Sequence, residues 1–324
     1  MPAEDRIAGD DLAVLADTTR RIVAGPDPAE LVTELDDAGL VAAVCADPAV
    51  SGTLLAVQGE QLGRSTLLDV LLAGPDTARA ARVVLPPPGS RQPPGRIGAD
   101  GAVEVDGLVL VPERCEELLV HTSGGRVAVP ARDVPLEPVR GLDPDLGAAR
   151  ALGAVPAAAM GSAAVPEWDA VVDLAAVAIA HELVGVGQRA LDTALAHVRE
   201  REQFGAPLAA LQSVRHRLVG VHVELEAARA ALDAAGTAPG EVDALAVKVA
   251  AGHGALGAVA TAQQLCGAMG FTAEHGLHRI VRRAHLLDSL FGSADDLEIQ
   301  LGALLAARGR TPAPVAVLHG GSDA

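Results

Sequence analysis

Downstream of Val171 the chain repeats apolar residues every three or four positions, with polar residues between them. Leu211, Val214, Leu218, Val221, Leu225, Ala228 and Leu232 form one such stripe, which predicts a single long amphipathic helix. Val171 to Val198 has the same period, and Val242 to Met269 is apolar nearly all round, the pattern of a buried helix. Pro207 and Pro239 precede two of these segments, and beyond Glu167 only Pro312 and Pro314 join them. Helix interiors exclude proline, so residues 167–308 can hold long helices, and the spacing predicts an antiparallel four-helix bundle.

The earlier chain is patterned differently. Asp10 and Asp11 precede Leu12 and Leu15, and Arg20-Arg21 follow, acids first and bases last as a helix dipole prefers. Pro28 and Glu30 open a second helix that Gly39 closes. Thr53 to Leu62 and Leu67 to Leu72, separated by Gly63, supply two further apolar segments. Beyond residue 79 short β-type runs replace them. Val83-Val84-Leu85 stops at Pro86-Pro87-Pro88-Gly89, while Val103 and Val105 are separated from Leu108 to Val111 by Asp106-Gly107, a hairpin signal. Leu118 to Val120 and Val127 to Val129 flank Ser123-Gly124-Gly125 in the same way. The expected organisation is an α+β, mainly α, chain: an N-terminal helical domain over 1–78, a small middle β domain over 79–166, the bundle over 167–308 and a flexible tail over 309–324.

Composition narrows the function. Half of the 324 residues are apolar but only 1% are aromatic, so the core must be built from Ala, Val and Leu, which suits closely packed helices. A net charge of −17 repels phosphate backbones and anionic membranes, so no nucleic-acid partner is expected. Cys45, Cys115 and Cys266 are widely spaced and odd in number, which argues against a disulfide framework or a zinc motif and for a reducing compartment. The N-terminus is acidic without an apolar core of its own, and no uninterrupted apolar run reaches spanning length. The expectation is therefore a cytoplasmic chain with no signal peptide and no membrane span.

Several local signals have plain readings. His181-Glu182 starts like a zincin helix but lacks the second histidine, so no metal is expected there. His275 and His278 read as capping and packing residues, Gly185-Val186-Gly187 as helical glycines, and Gly252-His253-Gly254 as a close-packing site. Arg279, Arg282 and Arg283 form a basic cluster that suits either anionic phosphates or a salt-bridged face. Phe204, Phe271 and Phe291 each fall near a helix end, where an aromatic ring can plug a gap.

The segments around these phenylalanines carry a resemblance. Arg201-Glu202-Gln203-Phe204-Gly205-Ala206-Pro207-Leu208, followed by Gln212, resembles the Arg-x-Gln-Phe-Gly signature of acyl-CoA dehydrogenases. Gln264 through Arg279, with Gly267-Ala268-Met269-Gly270-Phe271 inside it, is similar to that family's second C-terminal signature. Gln58 to Arg64 is similar to its Glu-x-Leu-Gly-Arg segment, whereas the β region is only weakly similar. The resemblance implies FAD shared across a subunit interface. Arg201 and Gln203 would meet the pyrophosphate, Phe204 would pack on the adenosine, and Gln212, Gln264, Gly267 and Gly270 would line the same end. A guanidinium suits pyrophosphate because it presents a fixed fork of donors. Ala268 replaces a frequent second glycine.

The same resemblance exposes two deficits. The family's base is commonly the Glu of a Tyr-Glu-Gly-Thr stretch, and here Leu290-Phe291-Gly292-Ser293 puts Phe291 in its place. Members that carry the base on the preceding long helix would have it at Ala175, where only Asp173 is near; Glu182, Glu167 and the Asp295-Asp296-Glu298 group are more distant alternatives. The flavin-ring stretches correspond to Leu85 through Ser90 and to Leu110-Val111-Pro112-Glu113, which lack the expected hydroxyl. No catalytic residue is therefore assigned. The pattern resembles the short companion subunits of heteromeric actinobacterial acyl-CoA dehydrogenases, which complete the FAD site of a larger, Glu-bearing partner in a heterotetramer. That resemblance implies lipid metabolism, with fatty-acid or steroid-side-chain acyl-CoA desaturation and an electron-transfer flavoprotein as acceptor. A self-sufficient homo-oligomeric dehydrogenase with another base, and a non-enzymatic bundle protein, remain open at this point.

Overall fold

In a computed structural model, residues 9–75, 80–141, 143–156, 161–163, 167–203, 205–236 and 239–309 are described. Phe204 and the segment after Gly309 lie outside them.

Among the described residues five helices come first: α1 (Gly9–Ile22), α2 (Glu30–Asp37), α3 (Val41–Ala46), α4 (Pro48–Gln61) and α5 (Leu67–Ala73). Asp47 caps α4 by accepting the Ala49 N–H at 3.0 Å, and Pro48 takes the first helical position, where its missing donor costs nothing. Gly39 adopts φ 69° just past α2, the left-handed stop that the sequence predicts.

A mixed sheet, eight-stranded among the described residues, follows: β1 (Ala81–Val83), β2 (Gly95–Ile97), β3 (Val103–Val109), β4 (Glu117–Thr122), β5 (Gly125–Pro130), β6 (Leu136–Pro138), β7 (Ala149–Val155) and β8 (Gly161–Ala163). Its order is β6-β7-β3-β2-β4-β5-β8, with β1 paired to β4 in parallel. The Ser123-Gly124-Gly125 signal is a true hairpin that pairs Thr122 with Gly125. The Asp106-Gly107 signal is not: both residues lie inside β3, in an unbroken antiparallel ladder with β7. Gly107 is required for space rather than for a turn, since a Cβ there would sit 2.3 Å from the Leu85 carbonyl oxygen.

The bundle consists of α6 (Trp168–Glu200), α7 (Gln212–Ala235), α8 (Glu241–Cys266), α9 (Leu277–Ser289) and α10 (Ala294–Arg308). Between α6 and α7 a small hairpin pairs β9 (Glu202–Gln203) with β10 (Ala206–Pro207). The predicted stripe on α7 is buried from Val214 to Leu232, but Leu211 precedes the helix and is exposed. Helix α8 stops at Cys266, so Met269 lies in an exposed 3-10 turn rather than on a buried helix. Two stretches, Trp168–Glu200 and Glu241–Phe271, are long and apolar enough to cross a membrane; 78% and 56% of their most apolar windows are buried inside this fold. They meet that length and hydropathy because Ala and Gly dilute the few charges, not because an unbroken apolar run exists.

Small residues let these helices approach closely. A Cβ on Gly185 of α6 would lie 2.0 Å from the Ala56 carbonyl oxygen of α4, and one on Gly59 of α4 would lie 2.1 Å from the Glu182 carbonyl oxygen of α6. Gly187 is packed against the Leu225 side chain and the Ala255 backbone. The Gly185 and Gly59 contacts are backbone against backbone, so no rotamer can relieve an added methyl there. Gly185→Ala is therefore expected to lower stability by at least about 1–3 kcal/mol despite alanine's better helix propensity, read as a shifted urea midpoint. An unchanged midpoint would show that α4 and α6 can slide apart at no cost.

Candidate functional site

Two regions of the bundle concern the chemistry that the sequence suggests. The first is the loop after α9. Lys248, buried in α8, donates from Nζ to the carbonyl oxygens of Asp288 (2.9 Å), Leu287 (3.2 Å) and Gly292 (3.4 Å). Burial depresses its pKa to about 8, but three carbonyl dipoles hold the ammonium in place. Asp288 adds an Oδ1 that accepts the Ala294 N–H at 3.1 Å. Together these bonds pin Phe291 at φ 56°, a left-handed conformation unusual for a non-glycine residue.

Phe291 is 1% exposed, its ring 6.2 Å from that of Trp168, which in turn lies 5.2 Å from the His121 ring. Trp168 Nε1 donates to the Arg91 carbonyl at 2.8 Å. Neither nitrogen of His121 has a hydrogen-bond partner among the described residues, and burial drops its pKa to about 4, so the ring is neutral and serves as an apolar plate. Gly89, in the stretch aligned with a flavin-ring segment, donates its N–H to the Ser289 carbonyl at 2.7 Å. The base-position loop and one ring-binding stretch therefore do meet, with the Phe291, Trp168 and His121 rings in series beside them. The other stretch is used elsewhere: the Val111 and Glu113 carbonyls accept from buried Arg82, and Glu113 pairs with Arg64.

No alternative base emerges at Ala175, which is fully buried, or at Glu182, which belongs to a buried ion network. In that network Arg283 donates to Asp143 at 2.6 Å and to Glu182 at 3.3 Å, and Gln58 donates to Glu182 at 3.1 Å. Burial raises the Glu182 pKa, opposed by Arg283 and Gln58. Of the basic cluster, Arg283 and Arg279 are thus salt-bridged, the latter to Asp145 at 2.7 Å. Asp295 is 92% exposed and Asp296 caps α10 with Ser293, which fits dipole compensation at a helix start. Glu167 is an exposed residue ahead of α6. Asp173 is different: with Arg91, Trp168, Asp169 and Glu241 it lines a cavity of about 440 Å³. Burial raises its pKa, and Arg91 lies 3.9 Å away.

The second region is one end of the bundle. Arg201 ends α6, its N–H bonded to the His197 carbonyl at 2.9 Å, while its own carbonyl accepts from Leu208 at 2.8 Å. The chain then reverses tightly, pairing Gln203 with Ala206, and Gly205 at φ 79° supplies the left-handed residue. Arg201 and Gln203 are exposed, and among the described residues no ion pair engages Arg201. The expected alternative, a salt bridge to Glu200 or Glu202, is therefore not formed. Gln212, at the first turn of α7, is exposed and lies 3.4 Å from His216. Gln264 is exposed near the end of α8, and a Cβ on Gly267 would meet nothing within 4 Å. Gly270 serves packing, because a Cβ there would come within 3.0 Å of Cys266 and Leu277. Phe271 is 71% exposed, so it plugs nothing within this chain. The fold brings the two segments together: the His197 and His275 rings lie 6.2 Å apart, joining the end of α6 to the turn after α8.

A helical region, a mixed sheet and a helix bundle in this order, with a signature-bearing turn at one bundle end, define the acyl-CoA dehydrogenase architecture. Sequence and structure both match that family. The model described as the acyl-CoA dehydrogenase C-terminal domain matches residues 170–306. The chain is 32% identical over 300 residues to acyl-CoA dehydrogenase FadE34 of Mycobacterium tuberculosis, covering 88% of this chain and 37% of that protein. It is 34% identical over 128 residues to acyl-CoA dehydrogenase IpdE2 of the same organism, covering 40% of this chain and 38% of that one. The matched regions thus span little more than a third of each relative. Among solved structures, a variant of the Tcur3481-Tcur3483 steroid ACAD superposes with a TM-score of 0.71 at 25% identity, covering 93% of this chain and 99% of that one. The ChsE4-ChsE5 complex from Mycobacterium tuberculosis gives 0.70 at 20% identity, covering 95% and 99%, a likeness of fold.

Proposed function

We propose that this chain is the non-catalytic companion subunit of a heteromeric FAD-dependent acyl-CoA dehydrogenase, completing the FAD site of a larger partner. The observation that carries the reading is an asymmetry. Where a base is expected, Phe291 is sealed against Trp168, while Arg201, Gln203 and Gln264 stand exposed at the opposite kind of site, one open to a neighbour.

The fit to FAD is likewise split. The ring end is altered: in its aligned stretches the one hydroxyl is that of Ser90, which accepts the Gln92 N–H, and the Phe291 and Trp168 rings pack beside them, which supports a chain that does not itself hold an isoalloxazine. The motif end suits an adenosine diphosphate moiety: an exposed guanidinium with no ion pair among the described residues for the pyrophosphate, amides for further hydrogen bonds and Gly267 for close approach. When bound, the flavin would supply hydride acceptance from the acyl β-carbon, with the base for the α-proton left to the larger subunit. This chain's residues bind and orient only. Support for a partner comes from the two paired proteins named in the structural relatives, one of them a steroid ACAD. By the same reading the substrate is a bulky or fatty acyl-CoA, electrons pass to an electron-transfer flavoprotein, and the free thiols suit the cytoplasm.

Purified alone, the chain is expected to be colourless; co-expressed with a larger, Glu-bearing acyl-CoA dehydrogenase, it should co-purify as a yellow complex. Arg201→Ala should then reduce flavin retention roughly ten- to a hundredfold, since a charge-assisted hydrogen bond contributes about 1.5–3 kcal/mol. A yellow, active protein without a partner would overturn the assignment. One observation favours a second reading, a self-sufficient dehydrogenase, namely the carboxyl of Asp173 in its cavity. Loss of such partner-free activity in Asp173→Asn would select it.

A further inference from the structure

The end of the bundle holds a cluster to which the flavin role assigns nothing, although two of its members fall within the Gln264 to Arg279 segment. His197 from the last turns of α6, Cys266 from the last residue of α8 and His275 from the 3-10 turn before α9 converge there. Their ligand atoms all lie within 4.8 Å of one another. Cys266 is a buried free thiol and the two histidines are half-buried. The His275 Nδ1 is buried without a hydrogen-bond partner among the described residues, an orphaned lone pair or N–H that packing alone does not explain.

We propose that His197, Cys266 and His275 form a binding site for a zinc-class divalent cation, with a fourth position open to water. Two imidazoles and a thiolate are a borderline-soft set, which suits zinc or cobalt and not magnesium or calcium. Tetrahedral zinc with Zn–N near 2.0–2.1 Å and Zn–S near 2.3 Å puts ligand atoms roughly 3.4–3.6 Å apart. The observed convergence needs about 1 Å of side-chain closure to reach that. At His197, burial, the neighbouring His275 and Arg201 lower the pKa, which favours the neutral ring that a metal takes. The Cys266 thiol is shifted upward by burial, so binding must release its proton to solvent as the metal–sulfur bond forms.

The position gives the cation a purpose. Arg201 is hydrogen-bonded to the His197 carbonyl, and Gly267 directly follows Cys266. A metal here would clamp the end of α6 to the end of α8 and fix the spacing of the two segments that carry Arg201 and Gln264. The site stands on its own geometry and does not depend on the companion-subunit reading.

Cobalt titration of the full-length chain, freed of metal by chelation, tests it. The expected result is a thiolate-to-cobalt charge-transfer band with tetrahedral visible bands, saturating stoichiometrically. Cys266→Ala should abolish the charge-transfer band, and His275→Gln should weaken binding by more than the roughly 10–100-fold that loss of an outer-shell partner costs. Zinc should raise the melting temperature of the unsubstituted chain, with His275→Gln, at a half-exposed position, losing that increment while melting normally without metal. Absence of the band, its persistence in Cys266→Ala through Cys45 or Cys115, or an unchanged zinc increment in His275→Gln would each overturn the proposal.

Discussion

Arg283→Met should destabilise the chain by about 3–5 kcal/mol, the cost of breaking a buried ion pair by removing one partner. Arg283 is 1% exposed on α9 and reaches three other parts of the chain. It donates to Asp143 between β6 and β7 at 2.6 Å, to Glu182 of α6 at 3.3 Å, and to the Gly63 carbonyl after α4 at 2.8 Å. Glu182 is further held by Gln58, whose own carbonyl accepts from Ser65. Methionine fills the volume of the stem but takes the cation from two buried carboxylates, leaving Glu182 only the Gln58 amide, and takes the donor from the Gly63 carbonyl. Desolvation already raises the Glu182 pKa, and loss of the cation, its chief opponent, would raise it further. The sign of the pH effect follows. A carboxyl whose folded pKa lies above its unfolded value is bound to a proton more often when folded, so stability rises as pH falls. The gap between Arg283→Met and the parent should therefore narrow on acidification. A triple replacement, Arg283→Met with Glu182→Gln and Asp143→Asn, should recover part of the loss by removing both charges. Urea midpoints at constant slope measure all three effects. A single variant within about 1 kcal/mol of the parent would mean that water reaches the network.

That network also marks where the sequence stops being readable. The amphipathic stripe of α7 was legible because one face must be apolar wherever a helix packs on a core, and that constraint is local. The partners of Arg283 are not local: Asp143 and Glu182 stand far from it in the chain, and nothing in the Arg279-Arg282-Arg283 cluster says which guanidinium turns inward. Asp106-Gly107 failed for a related reason. The dipeptide carries the composition of a turn, but the ladder between β3 and β7 overrides it, and the glycine answers to the Leu85 carbonyl across the sheet. Strand β7 itself, Ala-Arg-Ala-Leu-Gly-Ala-Val, has few β-branched residues and gave little signal. The candidate flavin-edge residues could be named because a motif resemblance supplied them. Their convergence at one bundle end, and the His197–Cys266–His275 cluster beside them, depend on three chain segments whose spacing matches no local metal pattern.

Phe291→Glu, which writes a carboxylate back into the position where a base is expected, should not create a dehydrogenase. It should instead cost about 3–5 kcal/mol, the range for losing a fully buried phenylalanine, with an added penalty for a buried carboxyl lacking a partner. Of the cations near this loop, Lys248 already serves the carbonyls of Leu287, Asp288 and Gly292, and half-buried Arg91, beside Gly292, lies 3.9 Å from the carboxylate of Asp173. Trp168 presents a ring face, with its single donor spent on the Arg91 carbonyl. His121 is neutral, its pKa held to about 4 by burial, and adds no positive charge. A glutamate here would therefore keep its proton at neutral pH, and a protonated acid cannot take another from an acyl-CoA. The backbone at φ 56° compounds the difficulty, because the packing that holds a non-glycine residue in that region is what the substitution removes. Phe291→Leu separates the two losses: it forfeits ring contacts without adding a charge and should cost less than the glutamate variant. Denaturation midpoints, together with an acyl-CoA oxidation assay on the chain alone and with its partner, give the readout. If Phe291→Glu folds with an unchanged midpoint and oxidises an acyl-CoA unaided, the aromatic seal is no barrier, and the division of labour proposed between the two subunits fails with it.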